Sequence, residues 1–304
     1  MSFEVTILGC SSATPTADRH PSAQLLNIKG KYVLIDCGEA TQNQLLKYRL
    51  RHSKINHIFI SHLHGDHYLG LVGLLATINF QGRENELHIY GPEPLEAIIN
   101  DHFKYSHTVL RFPLYFHTVH DDESRVLEEN STFRVKSIVL QHRLPTTGFL
   151  FEEINPYRKI NNAACELHEV PYAYYEDLKR GLDYRDDLGN VIENRLLTFE
   201  PKAPRKYAYC SDTRYYEPVL EHIAGADMLY HESTFMHDLV ERAKETLHST
   251  AFEAATIAQK AQVGKLLLGH FSARYKDLTP LLEEARAVFE NSFLAIEGQK
   301  FVID

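Results

Sequence analysis

A chain of 304 residues, 44% hydrophobic and 24% charged, can bury a sizeable core as one main domain, which excludes wholesale disorder. Its formal charge of −9 excludes nonspecific coating of nucleic acid, a mode that depends on many Lys and Arg releasing counterions, so a polyanionic substrate must be met locally. No apolar stretch approaches the ~18 residues of a membrane span, and four scattered cysteines with no basic leader read as a reduced, cytoplasmic protein.

Along the N-terminal half, strand-like and helix-like segments alternate. FEVTILG reads as a strand, SAQLLNI and KYVLIDC flank a turn at Lys29 and Gly30, and TQNQLLKYRLR has helical spacing. HIFIS is a short buried strand and LGLVGLLATINF an apolar helix; LHIYG, PLEAIINDHF and LRFPLYFHTV continue the alternation. FRVKSIVLQ and GFLFEE read as neighbouring strands. From 152 to 204 the chain turns polar, aromatic and irregular, which marks an inserted arm. Beyond it come YEPVLEHIAGA (helix), DMLYHES (strand), DLVERAKETLH and STAFEAATIAQKAQVG (helices), KLLLGHF (strand), LTPLLEEARAVF (helix) and a hairpin-like FLAIEGQKFVI. Thr250 and Glu253 form a capping box, and Gly264 is placed as a helix stop. This order predicts a layered α/β domain.

The same punctuation recurs through the chain. An apolar strand ends and a histidine or aspartate follows, at His62, His142, Asp212, His231 and His270. Strand ends in layered α/β folds line one edge, where crevices form, so these points can converge. The densest cluster is SHLHGDH, where His62 and His64 alternate along an extended segment and Asp66 and His67 sit where a helix begins. Such a split suggests two ligand sets. Imidazole and carboxylate donors without thiolate suit Zn²⁺, with Mn²⁺ or Fe²⁺ as alternatives, and two adjacent metals explain the crowding. With 18 histidines in the chain, H-x-H-x-D-H is expected by chance in about 0.003 chains of this length. His57, His88, His117, His168 and His237 lack the strand-end context, and Cys210 reads as core filler.

These motifs together resemble a known family. HLHGDH at 62–67, His142 in QHRLPTTGFLF, Asp212 in YCSDTRY, HEST at 231–234, His248 in LHSTAFEAA and GHFSARY at 269–275 are similar to those of ribonuclease Z, the tRNA 3′-processing endonuclease of the metallo-β-lactamase superfamily. The likeness runs from GCSSATPTADRHPSA to GHFSARY. It implies a four-layered αββα sandwich over residues 1–304 with residues 152–204 as an inserted arm, a candidate tRNA-binding exosite. It implies two zincs per subunit, one on His62, His64 and His142, the other on Asp66, His67 and His270, bridged by Asp212. The reaction implied removes the 3′ trailer from precursor tRNA by metal-bound hydroxide attack, leaving a tRNA 3′-hydroxyl. Asp66 would be the proton acceptor, and His248 with Glu232 nearby would serve the leaving oxygen. A homodimer follows from the same likeness.

Two features depart from it. The start reads GCSSATPT where a GTG-like turn is common, and residues 151–204 carry seven Lys and Arg against eleven Asp and Glu, an acidic balance that repels phosphate. Either isolated cations such as Arg158, Lys159, Lys179 and Arg180 make contact, or the arm works differently. Expected RNA contacts elsewhere are Arg274 and Tyr275, with Lys47 and Arg51 of the basic run KYRLRHSK. A second reading keeps the binuclear site for a small phosphodiester or other ester. A third, a noncatalytic RNA-binding subunit, predicts missing ligands, and none is missing.

Overall fold

The first long strand, β1 (Phe3–Gly9), is followed by a turn whose chemistry sets the register of what comes next. Lys29 and Gly30 take φ of 51° and 88°, the two-residue turn that folds β2 (Ala23–Ile28) antiparallel onto β3 (Lys31–Ile35). The computed structural model describes residues 2–14, 16–155 and 157–304, so Met1, Pro15 of GCSSATPT and Pro156 of the arm lie outside the described residues. Three further strands, β4 (Ile55–Phe59), β5 (Leu87–Gly91) and β6 (Leu114–Thr118), extend β3 in parallel. A second sheet begins with β7 (Val126–Glu129), β8 (Phe133–Val139) and β9 (Thr147–Glu153).

Residues Glu153–Pro204 form a compact unit of their own. Its short strands β10 (Lys159–Ile160), β11 (Tyr184–Arg185), β12 (Val191–Ile192) and β13 (Thr198–Phe199) pair as β10 with β13 and β11 with β12. Cys165, Val170, Leu178, Tyr184 and Leu197 give it a small core, and the buried Asn194 amide donates to the Leu178 and Leu182 carbonyls at 2.8 Å each. The stretch that reads as irregular in sequence is thus ordered around one asparagine, a feature without periodicity.

The remaining strands return to the main unit. β14 (Lys206–Cys210), β15 (Met228–Glu232), β16 (Lys265–Gly269) and β17 (Ser292–Leu294) run parallel, and β18 (Lys300–Val302) pairs with β1. Two seven-stranded sheets result, ordered β18-β1-β2-β3-β4-β5-β6 and β17-β16-β15-β14-β9-β8-β7. Phe3, Val5, Ile7 and Phe59 pack in one cluster with Phe149, Phe151 and Tyr207 of the second sheet. Leu25, Leu34, Ile58 and Ile89 pack instead with Leu71, Leu75, Leu95 and Ile99, contributed by the helices Gly70–Phe80 and Pro94–Tyr105. The helices Ala251–Lys260 and Thr279–Arg286 bury Ala254, Ala258 and Leu281 against the second sheet, which completes the four-layered αββα sandwich that the resemblance to ribonuclease Z implies. Burial on both faces is why KYVLI and KLLLG are nearly continuous apolar runs.

Two local expectations are corrected. FLAIEGQKFVI is not a hairpin, because β17 joins one sheet and β18 the other. Gly298, at φ 81° and donating to the Ile7 carbonyl, turns the chain across the sandwich between them. Nor is Gly264 the helix stop: Gln262, at φ 52°, takes the left-handed position after Lys260. Gly264 is needed because a Cβ there would lie 2.6 Å from the Asp227 carbonyl oxygen. The Thr250–Glu253 capping box is present, and among the described residues no helix is long and apolar enough to cross a membrane.

On one face of β4 to β6, His57, His88 and His117 stack near Glu128, with His57 and His88 ring centroids 5.5 Å apart. Burial pushes His57 down to about 4, with Glu128 opposing and repulsion by His88, His117 and Lys31 adding to the fall. Above its ordinary value of about 6.5 the group is neutral folded or unfolded and does nothing. Between pH 6.5 and 4 only the unfolded chain takes up the proton, so stability falls as pH falls through that window, by on the order of 2 kcal/mol. Urea midpoints at pH 7 and 4.5 should therefore differ less in His57→Phe than in the parent.

Candidate metal centre

The donors arrive from the carboxyl ends of parallel strands. β4 leads into His62, β14 into Asp212 and β16 into His270, while Glu232 closes β15 and His142 lies between β8 and β9. Two four-donor groups form, His62, His64, His142 and Asp212, and Asp66, His67, Asp212 and His270. Within each, the donor atoms lie within 4.8 Å of one another, and Asp212 belongs to both. A third group joins Asp212, Glu232, His248 and His270.

Hydrogen bonding outside these groups decides which nitrogen each ring presents. His67 Nδ1 donates to Asp36 Oδ2 at 2.6 Å, and His142 Nδ1 donates to the Leu247 carbonyl at 2.9 Å. His270 Nδ1 meets the Thr234 hydroxyl at 2.9 Å; that hydroxyl donates to Glu232 Oε2, so it accepts from the ring. His62 Nδ1 meets Ser61 Oγ at 3.0 Å, and Ser61 Oγ donates to Asp36. Four rings thereby turn Nε2 toward the Asp212 carboxylate at 3.2 to 3.8 Å. His64 presents Nδ1, 2.9 Å from His62 Nε2 and 3.3 Å from His142 Nε2.

Charge in this buried cluster is finely divided. Burial, reinforced by neighbouring imidazoles, pushes His62 well below the usual histidine range and lowers His64. Burial also lowers His142, with Asp212 opposing. Burial would neutralise Asp66 and Asp212, but the adjacent imidazoles hold both carboxyls well below the usual range. His67, enclosed by Asp212, Asp66 and Asp36, is held well above it despite burial. Its Nε2 is buried without a hydrogen-bond partner. An orphaned imidazole nitrogen amid nitrogen and oxygen donors, with no thiolate, fits divalent metal ions held by these residues.

The cavity over the cluster, about 560 Å³, is lined by His64, Asp66, His142, Asp212, His248 and His270 among others. His248 Nδ1 lies 2.8 Å from Glu232 Oε1, and its ring stands 4.9 Å from His142 and 5.3 Å from His270. Burial opposes its charge, but Glu232, then Asp212 and Asp66, raise it to about 9. Glu232 also accepts from the Thr213 and Ser249 amides, so one buried carboxylate fixes three segments.

Other predicted positions fall elsewhere. His231 does not join the cluster; alternation along β15 turns Glu232 inward and leaves His231 buried against the Glu232 carbonyl at 2.8 Å. Lys47 and Arg51 do not line the cavity, Lys47 lying over the Tyr48 ring. Arg274 stacks on Phe235, a cavity residue, at 5.0 Å, and the Tyr275 hydroxyl accepts from the Met236 amide at 3.0 Å. Cys210 is wholly buried core. Sequence reasoning passed over Asp36, although KYVLI-Asp36 carries the same strand-end punctuation as the others. Arg143 and Arg242, both lining the cavity, carried no signal.

A family model described as "Anti-Pycsar protein Apyc1" matches residues 3–155. Ribonuclease Z of Cytophaga hutchinsonii is 47% identical over 304 residues, covering 100% of this chain and 97% of its own. Among solved structures, human short-form tRNase Z superposes with a TM-score of 0.72 at 30% identity, covering 99% of both chains. The metallo-β-lactamase fold protein YhfI of Bacillus subtilis superposes with a TM-score of 0.69 at 20% identity, covering 99% of this chain and 100% of its own, a likeness of fold.

Proposed function

Since the chain belongs to the ribonuclease Z family, whose members are endoribonucleases that process tRNA, we propose that it removes the 3′ trailer from precursor tRNA and leaves a tRNA 3′-hydroxyl. The observation that carries this is two donor groups sharing Asp212 in one cavity with a charged His248. Two Zn²⁺ per subunit are proposed, His62, His64 and His142 holding one, Asp66, His67 and His270 the other, with Asp212 between; Mn²⁺ and Fe²⁺ suit the same donors. Bound there, the cations supply Lewis-acid stabilisation of the attacking and leaving oxygens of a phosphodiester and acidify water. Asp66, kept ionised, accepts the proton of the attacking water at its carboxylate. His248, kept protonated and oriented through Nδ1 by Glu232, gives the Nε2 proton to the leaving 3′-oxygen.

The inserted unit, residues 152–204, is proposed as the tRNA exosite. Exposed Tyr157 and Tyr172 support a stacking contact, whereas Arg158, Lys179 and Arg195 are already paired with Glu200, Glu176 and Glu193. A homodimer belongs to the same reading through the family, and four free, buried cysteines support a reducing, cytoplasmic setting.

The test offers purified protein a trailer-bearing pre-tRNA and a small aryl phosphodiester, with and without chelator. Pre-tRNA should be cut to a 3′-hydroxyl end and chelator should stop it; Asp66→Ala should lose nearly all turnover. His248→Ala should lower kcat by about a hundredfold with little change in KM. Cleavage of the small ester alone would replace this reading with that of a small-ester hydrolase.

A further inference from the structure

Two arginines reach the cavity from different parts of the chain. Arg143 follows His142 directly, and Arg242 lies on the helix Val240–Thr246, which runs out into His248. Both line the same cavity as Asp66 and Asp212, and both are tied to one residue. Arg143 Nη2 donates to the Glu245 carbonyl at 3.4 Å, and Arg242 Nη1 donates to Glu245 Oε2 at 3.1 Å. Glu245 therefore gathers two guanidinium groups beside a catalytic cavity whose other charged walls are the carboxylates of Glu39, Asp66 and Asp212 and the protonated His248.

Gathering like charges is unfavourable unless an anion shares them. Glu245 is a weak counter-ion, since its side chain is 67% exposed and that of Arg242 55%. A planar guanidinium fork matches the two free oxygens of a phosphodiester better than it matches a solvated carboxylate. In a chain of net charge −9, a polyanion needs such a local cation pair. We propose that Arg143 and Arg242 form a phosphate clamp that grips the RNA backbone beside the scissile bond, with Glu245 holding both arginines in place until the phosphate arrives. The proposal rests on the endoribonuclease reading and adds the residues that position its substrate.

A merely structural role is the natural competitor. Arg242 and Glu245 are three apart on one helix, and Arg143 caps a carbonyl at that helix's end. The two roles predict opposite signs for Glu245→Gln. If the pair only braces the helix, Glu245→Gln and Arg242→Ala both break it and shift behaviour in the same direction. If the arginines hold phosphate, Glu245→Gln removes a competing anion and tightens RNA binding.

The experiment measures pre-tRNA affinity by fluorescence anisotropy, and KM by steady-state cleavage, across a salt series for the metal-loaded parent, Arg143→Ala, Arg242→Ala, Arg242→Lys and Glu245→Gln. Each alanine variant should weaken binding about tenfold and flatten the slope of log affinity against log salt by about one. Arg242→Lys should restore the slope but only part of the affinity. Glu245→Gln should bind two- to fivefold tighter. Unchanged slopes in both alanine variants, or a Glu245→Gln shift in the same direction as Arg242→Ala, would overturn the clamp. A parent enzyme that cleaves only a small ester would overturn the endoribonuclease reading itself, and the clamp with it.

Discussion

Asp212→Asn should lower pre-tRNA cleavage by about a thousandfold or more and strip most of the bound metal. Asp212 is the one donor common to all three groups, and it is 2% exposed. Its carboxylate faces the Nε2 atoms of His62, His67, His142 and His270 at 3.6, 3.4, 3.8 and 3.2 Å. Asparagine keeps the shape and can still accept from Ser211 Oγ, so the backbone has no reason to move. What disappears is the charge, and with it the second carboxylate oxygen that lets one side chain serve two donor groups. Metal content by atomic emission and single-turnover cleavage should fall together. Thermal unfolding gives an independent view: metal binding stabilises the native state by mass action, so chelator should lower the melting temperature of the parent and leave that of Asp212→Asn nearly unmoved. Full metal content with normal turnover would refute the shared role of this residue.

A layered α/β domain and the line of donors along its edge were legible because both are written in short-range pattern, whereas the four-layered sandwich came only from the resemblance to ribonuclease Z. Apolar runs such as HIFI and KLLLG are buried on both faces, and the polar residue that ends each run has nowhere to go but the rim. Where the pattern has period two, a one-residue ambiguity remains, and it explains why His231 seemed to belong to the rim when Glu232 is the residue that faces it. The fate of FLAIEGQKFVI was not legible, because its two strands choose partners at opposite ends of the chain and the sequence between them suits a hairpin equally well. Arg143 and Arg242 were not legible either. They meet only through Glu245, and no local spacing links position 143 to position 245. The basic run at 47–54 looked like the better cation cluster by composition, yet composition says nothing about which face a helix end turns to the cavity.

Asp36 is the instructive omission, and Asp36→Asn should weaken metal binding by about 10- to 100-fold while destabilising the metal-free protein by about 3 kcal/mol. The carboxylate is wholly buried and takes four donors. Oδ1 accepts from the Ser61 amide at 2.8 Å; Oδ2 accepts from Ser61 Oγ at 2.9 Å, Tyr209 Oη at 2.6 Å and His67 Nδ1 at 2.6 Å. An asparagine amide cannot satisfy this set in either orientation. One way its NH₂ confronts the Ser61 amide N–H, the other way the His67 Nδ1–H, so a buried donor goes unpaired in either case. The backbone is not the cause, since Asp36 sits at φ 54°, a conformation asparagine adopts readily. The effect reaches the metal through two rings. His67 loses the acceptor that fixes its Nδ1–H, and Ser61 loses the partner that leaves its oxygen free to accept from His62 Nδ1. Urea unfolding in chelator isolates the structural loss, and competition with a chromogenic chelator isolates the metal affinity. A variant with lowered stability but parental metal affinity would make Asp36 a brace for the strand ends and nothing more.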